Sequence, residues 1–263
     1  MKRIGLVLVV ILLMLFSLTA CVSNEERRQG NADVRRGREL ITDYVQEVYG
    51  KEAKAYDFKA CYVLSRYDSV VPNFDKIASG FVKATVSANN KVFDMIYHVN
   101  TREVLTKENI PAIEDEFLAY VNKTLPSANF VDCKMRLYNR NIEDTSIEEF
   151  IKPDILTYKE LVETGEYMLE LTFRSTASDF DSITEQQWRK AIYPFNGVRT
   201  GSQVHMLFVN YKDENGYKEE EKTGYYLYIE DLTEYYERES SIKNIKDMVY
   251  ITYDGDFQVL SDN

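Results

Sequence analysis

The chain carries two histidines, His98 and His205, so a histidine-based mechanism must use one of them. Both fall in alternating stretches that read as strands. His98 runs out of phase with Phe93, Met95, Tyr97 and Val99 and is expected to face water, while His205 lies between Val204 and Met206. Neither stands beside a nucleophile turn or a second metal ligand. The glycine spacings that cradle phosphates are also missing, Gly197 and Gly201 included, which disfavours phosphate-binding enzymes. Asp213, Asn215 and Gly216 match a fragment of a calcium loop, but the bidentate glutamate and regular oxygen spacing are not all in place, and Asn-Gly reads better as a surface hairpin turn. With 43 Asp and Glu residues, a glycosidase-type pair can be neither located nor dismissed, because it needs a cleft that sets two carboxyl groups about 5 to 10 Å apart. Trp188 and the tyrosines Tyr225, Tyr226, Tyr228, Tyr235 and Tyr236 could stack on a sugar or peptide. Tyrosine is also a favoured strand residue with a polar tip, so a half-buried sheet face accounts for the cluster better.

The cysteines are more specific. Lys2 and Arg3 precede an uncharged, apolar run from Ile4 to Leu18, and the run ends in Leu18-Thr19-Ala20-Cys21. This layout resembles the leader of bacterial lipoproteins, whose lipobox places a leucine and two small residues before an obligatory cysteine. The resemblance implies that residues 1–20 are a signal peptide, that the Cys21 thiol receives a diacylglyceryl group, and that the mature chain starts at Cys21. Two or more acyl chains hold a protein firmly, each buried methylene contributing about 0.8 kcal/mol. The competing reading is an uncleaved membrane helix, since about 20 apolar residues span a bilayer. Either reading leaves the bulk of the chain tethered on the extracytoplasmic face of the cell membrane. Cys61 and Cys133 are too few for a disulfide scaffold or a four-ligand zinc site. Cys133 is expected to be buried as a small hydrophobe, with Cys61 on the opposite face of its strand and no bridge between them.

Residues 21–38 read as a polar tether merging into a helix. Their five arginines (Arg27, Arg28, Arg35, Arg36 and Arg38) could lie on anionic headgroups or simply face water. Composition bounds the remainder. With 44% hydrophobic and 29% charged residues in a chain of 263, there is enough apolar surface for a real core. The net charge is −11, falling to −13 once Lys2 and Arg3 are lost, and this argues against a nucleic-acid partner. No motif calls for a cofactor or a metal.

Helical spacing of Leu40, Ile41, Tyr44, Val45, Val48 and Tyr49 predicts a helix ending at Gly50. Strands follow at Tyr56–Leu64, Phe81–Val86 and Val92–Val99, the last two joined by Asn89-Asn90. A second helix begins after Asn109, has Ile110, Ile113, Phe117, Leu118, Val121 and Leu125 on one face, and is closed by Pro126. Val131, Cys133, Met135 and Leu137 then mark the dry face of another strand. Further on come a short helix near Ser146, a strand at Tyr167–Phe173 and a helix around Trp188. Strands at Val204–Tyr211, Tyr225–Ile229, Val249–Tyr253 and Phe257–Leu260 complete the reading. The pattern is α+β, helices packed on antiparallel sheet, with a resemblance to cystatin-like and NTF2-like architectures that carries no function. An offset of 73 aligns the first helix and strand with the second. That suggests two helix-plus-sheet units, 39–108 and 109–263; the alternative is one domain over 39–263.

Two function classes remain open. One is a noncatalytic envelope lipoprotein, held to the membrane through the lipid on Cys21 and binding a protein or glycan partner, with Trp188, Tyr225, Tyr226 and Tyr228 as candidate contacts. The other is a carboxylate-dependent hydrolase of cell-wall or extracellular material. A solute-capturing lipoprotein is disfavoured, because the chain lacks the alternating βα units of two hinged lobes.

Overall fold

A computed structural model describes residues 22–64, 76–139, 149–195, 202–223, 244–252 and 256–261. The described residues fall into two compact units, one ending at Thr106 and the other starting at Lys107. The fold is α+β in both.

In the first unit, helix α1 (Asn24–Tyr49) starts where the Ser23 hydroxyl accepts the Glu26 N–H and stops at Gly50, whose φ of 93° ends the helix. Four antiparallel strands follow as a meander: β1 (Lys54–Leu64), β2 (Lys76–Ala88), β3 (Lys91–His98) and β4 (Val104–Thr106). Asn89 and Asn90, with φ of 51° and 63°, form the two-residue turn between β2 and β3, as their tolerance of positive φ leads one to expect. Ile41 and Val45 of the helix meet Val82, Ala84, Val86, Met95 and Tyr97 of the sheet in one core.

Two features depart from the sequence reading. The stretch read as a tether is helical from Asn24 on. Its contact positions are Gly30 and Gly37, so the helix reaches the sheet through absent side chains and leaves no hydrophobic period to read. A Cβ on Gly37 would lie 2.8 Å from Cγ2 of Val82. In β1, Asp57 at φ 54° and register shifts on either side of Lys59–Ala60 break the alternation. Tyr56 is therefore exposed, and Cys61, expected on the wet face, is buried.

The second unit opens with α2 (Ile110–Thr124), which buries Ile113, Phe117 and Val121. Its sheet runs in the order β5 (Asp132–Asn139), β6 (Tyr167–Ser175), β7 (Gln203–Tyr211), β8 (Ile245–Ile251), β9 (Phe257–Ser261). The short α3 (Tyr158–Glu163), not anticipated from the sequence, begins at a capping box between Thr157 and Glu160. The connection from β6 to β7 carries α4 (Glu185–Ile192) across the same core, and the two strands are parallel rather than antiparallel. Where a hairpin turn was expected at Asn215-Gly216, α5 (Glu214–Thr223) begins, and the Asp213 carboxylate accepts the Gly216 N–H at 2.9 Å. The strand expected at Tyr225–Ile229 and the helix near Ser146 lie outside the described residues. An aromatic cluster centres the core, with Phe173 stacked on Phe208 and Trp188 4.7 Å from Phe208.

Each unit thus has its own helix, sheet and core. The offset of 73 does not describe them, because Val48 is exposed while Val121 is buried. An offset of 72 equates buried Ile41, Val45 and Cys61 with buried Ile113, Phe117 and Cys133, the bulges of β1 having moved Cys61 to the dry face. The correspondence ends there, since β2–β3 is a hairpin and β6–β7 a parallel crossover.

Candidate functional site

The core-side face of the second sheet is not fully covered. Over β5 it lies under α2 and over β7 under α4, but towards β9 the cover runs out, and Val259 is 55% exposed. The uncovered strip is a groove of about 470 Å³. Its floor is Val249, Phe257 and Val259 from β8 and β9, and its wall is Phe180, Ile183, Glu185 and Trp188. The wall is held locally. Phe180–Ser182 form one 3-10 turn, and Thr184 caps α4 through a reciprocal bond with Gln187, which sets Glu185 and Trp188 at the rim.

Two carboxyl groups converge at one end of the groove. Lys246 Nζ lies 2.6 Å from Asp181 and 3.4 Å from Asp247. Their environments shift the two carboxyl groups in opposite senses. The bond from Lys246, helped by Asp247, holds Asp181 below the ordinary carboxylate range. Burial, then the contact with Asp181, pushes Asp247 up. Asn210, on the neighbouring strand, reaches Asp247 through Nδ2 at 3.5 Å. At the other rim, Arg189 bonds Glu185 at 2.7 Å and lies over the Phe257 ring. The charges are largely answered within the site, so the groove presents an apolar floor between paired ions.

The Lys246 ammonium bridges the two carboxyl groups, so both are engaged as ion-pair partners.

Trp188, read as a stacking surface, is 2% exposed and wedged among Phe130, Phe180 and Phe208, with only an edge lining the groove. Tyr225, Tyr226 and Tyr228, like Cys21 and the leader, lie outside the described residues. His98 is half-buried rather than water-facing: its ring packs on Phe81, and its Nδ1 accepts the Thr101 N–H. His205 lies on the opposite sheet face from the groove, in register with Glu170 of β6, which in turn pairs with Arg136 of β5. Among the described residues no group of His, Cys, Asp and Glu could hold a metal ion, Asp213 included. Cys61 and Cys133 are both buried and not bridged by a disulfide, and burial pushes the Cys133 thiol well up. Among the described residues no helix is long and apolar enough to cross a membrane.

Sequence reasoning did not single out Asp181, Lys246 or Asp247. Asp181 lies 65 residues before the adjacent Lys246 and Asp247 in a chain rich in acids, and no spacing rule links a 3-10 turn to a strand across a crossover.

No protein-family model matches the chain, and no curated protein matches it. The chain is similar to a solved DUF5037 family protein from Ruminococcus gnavus, at 14% identity and a TM-score of 0.37, over 86% of this chain and 94% of that one.

Proposed function

We propose that the chain is a membrane-anchored extracytoplasmic lipoprotein, acylated on Cys21, whose second unit is a noncatalytic binding module for an extended peptide segment of a cell-envelope partner. The observation that carries the binding role is the groove beside β9. Among the described residues β9 is the last strand of its sheet, so its outer backbone groups have no strand partner there. An added strand would satisfy them and lay alternate side chains against Val259, Ile183 and the Trp188 edge, as in β-augmentation. The anchoring role rests on the lipobox at Leu18–Cys21.

Trp188 is the sole tryptophan in the chain and reports on this groove directly. Extended apolar peptides are expected to change its fluorescence saturably. Methylating alternate peptide nitrogens should abolish the change, and Val259→Asp should weaken binding about tenfold or more, the loss of one good apolar contact. Wall-derived oligosaccharides should have no effect. Turnover of such oligosaccharides, abolished by Asp181→Asn or Asp247→Asn, would instead establish the hydrolase reading that the convergent carboxyl pair keeps open.

A further inference from the structure

We infer that the first unit stands end-on against the bilayer, pressed there by its anchor, with Val22, Arg27, Arg28, Lys76 and Ile77 as the surface that meets anionic headgroups. The inference rests on acylation of Cys21 and adds to it the absence of slack. Val22 is bridged to Lys76, Ser23 caps α1, and Glu26 accepts the Ala78 N–H at 2.6 Å. Cys21 is therefore one peptide bond from a residue that is already part of the fold. From Cys21 to Asn24 the chain reaches at most about 11 Å, even fully extended.

A lipid-bearing residue so close to a folded end brings that end to the headgroups. The chemistry there suits the contact. Ile77 is 39% exposed, the largest exposed hydrophobe of the described residues at this end, and it lies beside Lys76. Arg27 and Arg28 are exposed in the first turns of α1. These cations outnumber Glu25 and Glu26, and Glu26 is engaged by the Ala78 N–H. All lie within about a Debye length of the anchored residue, where an anionic leaflet attracts them. The opposite end carries Gly50 and the Asn89-Asn90 turn. Across the 26 residues of α1 it is about 39 Å away.

The test uses the full acylated chain, reconstituted in vesicles of phosphatidylcholine with phosphatidylglycerol that carry a headgroup-bound quencher. A fluorophore is placed on Ile77→Cys, on exposed Arg28→Cys or on Asn90→Cys, with the parent chain as background, since Cys61 and Cys133 are buried and Cys21 is blocked. The Ile77 and Arg28 labels should be quenched several-fold more than the Asn90 label, and a ten-residue Gly-Ser insertion after Cys21 should erase the difference. Equal quenching at all three positions in acylated protein, or a difference that survives the insertion, would overturn the end-on contact while leaving acylation intact. Absence of the lipid, read by mass, would overturn the contact and the anchoring together.

Discussion

Replacing Gly37 with alanine tests whether α1 is seated on its sheet as the structure describes. Two effects compete. Alanine in a helix interior is favoured over glycine by about 1 kcal/mol. Against this, the new Cβ would sit 2.8 Å from Val82 Cγ2, 2.9 Å from its Cβ and 3.2 Å from Cγ1. Val82 is fully buried and β-branched, so it cannot turn aside without a poor rotamer. Overpacking of this kind costs about 1 to 3 kcal/mol, so Gly37→Ala should destabilise the first unit by about 1 kcal/mol net. Gly30→Ala should cost less. Its new Cβ would meet the Tyr62 hydroxyl, the far end of a half-buried side chain that can swing, and the Ala60 Cβ at 3.0 Å. The helix gain there offsets most of the strain, and the variant should lie within about 0.5 kcal/mol of the parent. Hydrogen exchange at Val82, Ala84 and Met95 isolates the first unit from the second. Exchange there should quicken about fivefold in Gly37→Ala and stay near the parent rate in Gly30→Ala. Equal or slower exchange in Gly37→Ala would refute the docking of residues 24–38 on the sheet.

Further predictions concern the second unit, read by denaturation followed through Trp188 fluorescence. Asp247 has a folded pKa raised above its usual 3.8, so its contribution to stability is greatest below that value and is lost as pH rises through the folded one. Asp181, lowered, acts in the opposite sense, contributing above 3.8 and losing that contribution as pH falls. Asp247→Asn should therefore remove the loss of stability on the alkaline side of the carboxylate range, and an unchanged pH profile would contradict the upward shift of the Asp247 carboxyl. Glu114→Ala removes the acceptor of the Met135 N–H and a partner of Lys134, each at 2.9 Å, and should cost about 1 to 3 kcal/mol. Glu114→Gln, which keeps an acceptor, should cost less. Phe208→Ala should cost about 3 to 5 kcal/mol, since the ring is fully buried between Phe173, Phe130 and Trp188.

Much of the fold was legible because it follows from period. The faces of α2 and β5, the Asn89-Asn90 turn and the Gly50 stop are each written in residue types that permit little else. Period fails where a contact is made by something other than an apolar side chain. Gly30 and Gly37 hid half of α1, and the positive φ of Asp57 reversed the faces of β1 and with them the exposure of Cys61. The parallel pairing of β6 and β7 was hidden for another reason, since a strand buried on both faces carries no mark of its neighbour's direction. The groove was the least legible part. It exists because α4 covers less of the sheet than β8 and β9 extend, and its charges meet only through that tertiary arrangement. Trp188 was found for its type, but its place is chiefly in the core.

The most direct measurement of the account is the mass and metabolic label of the chain extracted from membranes of cells fed a palmitate analogue. The account predicts a mature species that begins at Cys21, carries a diacylglyceryl thioether and incorporates label, and a Cys21→Ala variant that incorporates none and accumulates with residues 1–20 attached or is released. Label persisting in Cys21→Ala, or a parent chain that keeps residues 1–20 and carries no lipid, would contradict it.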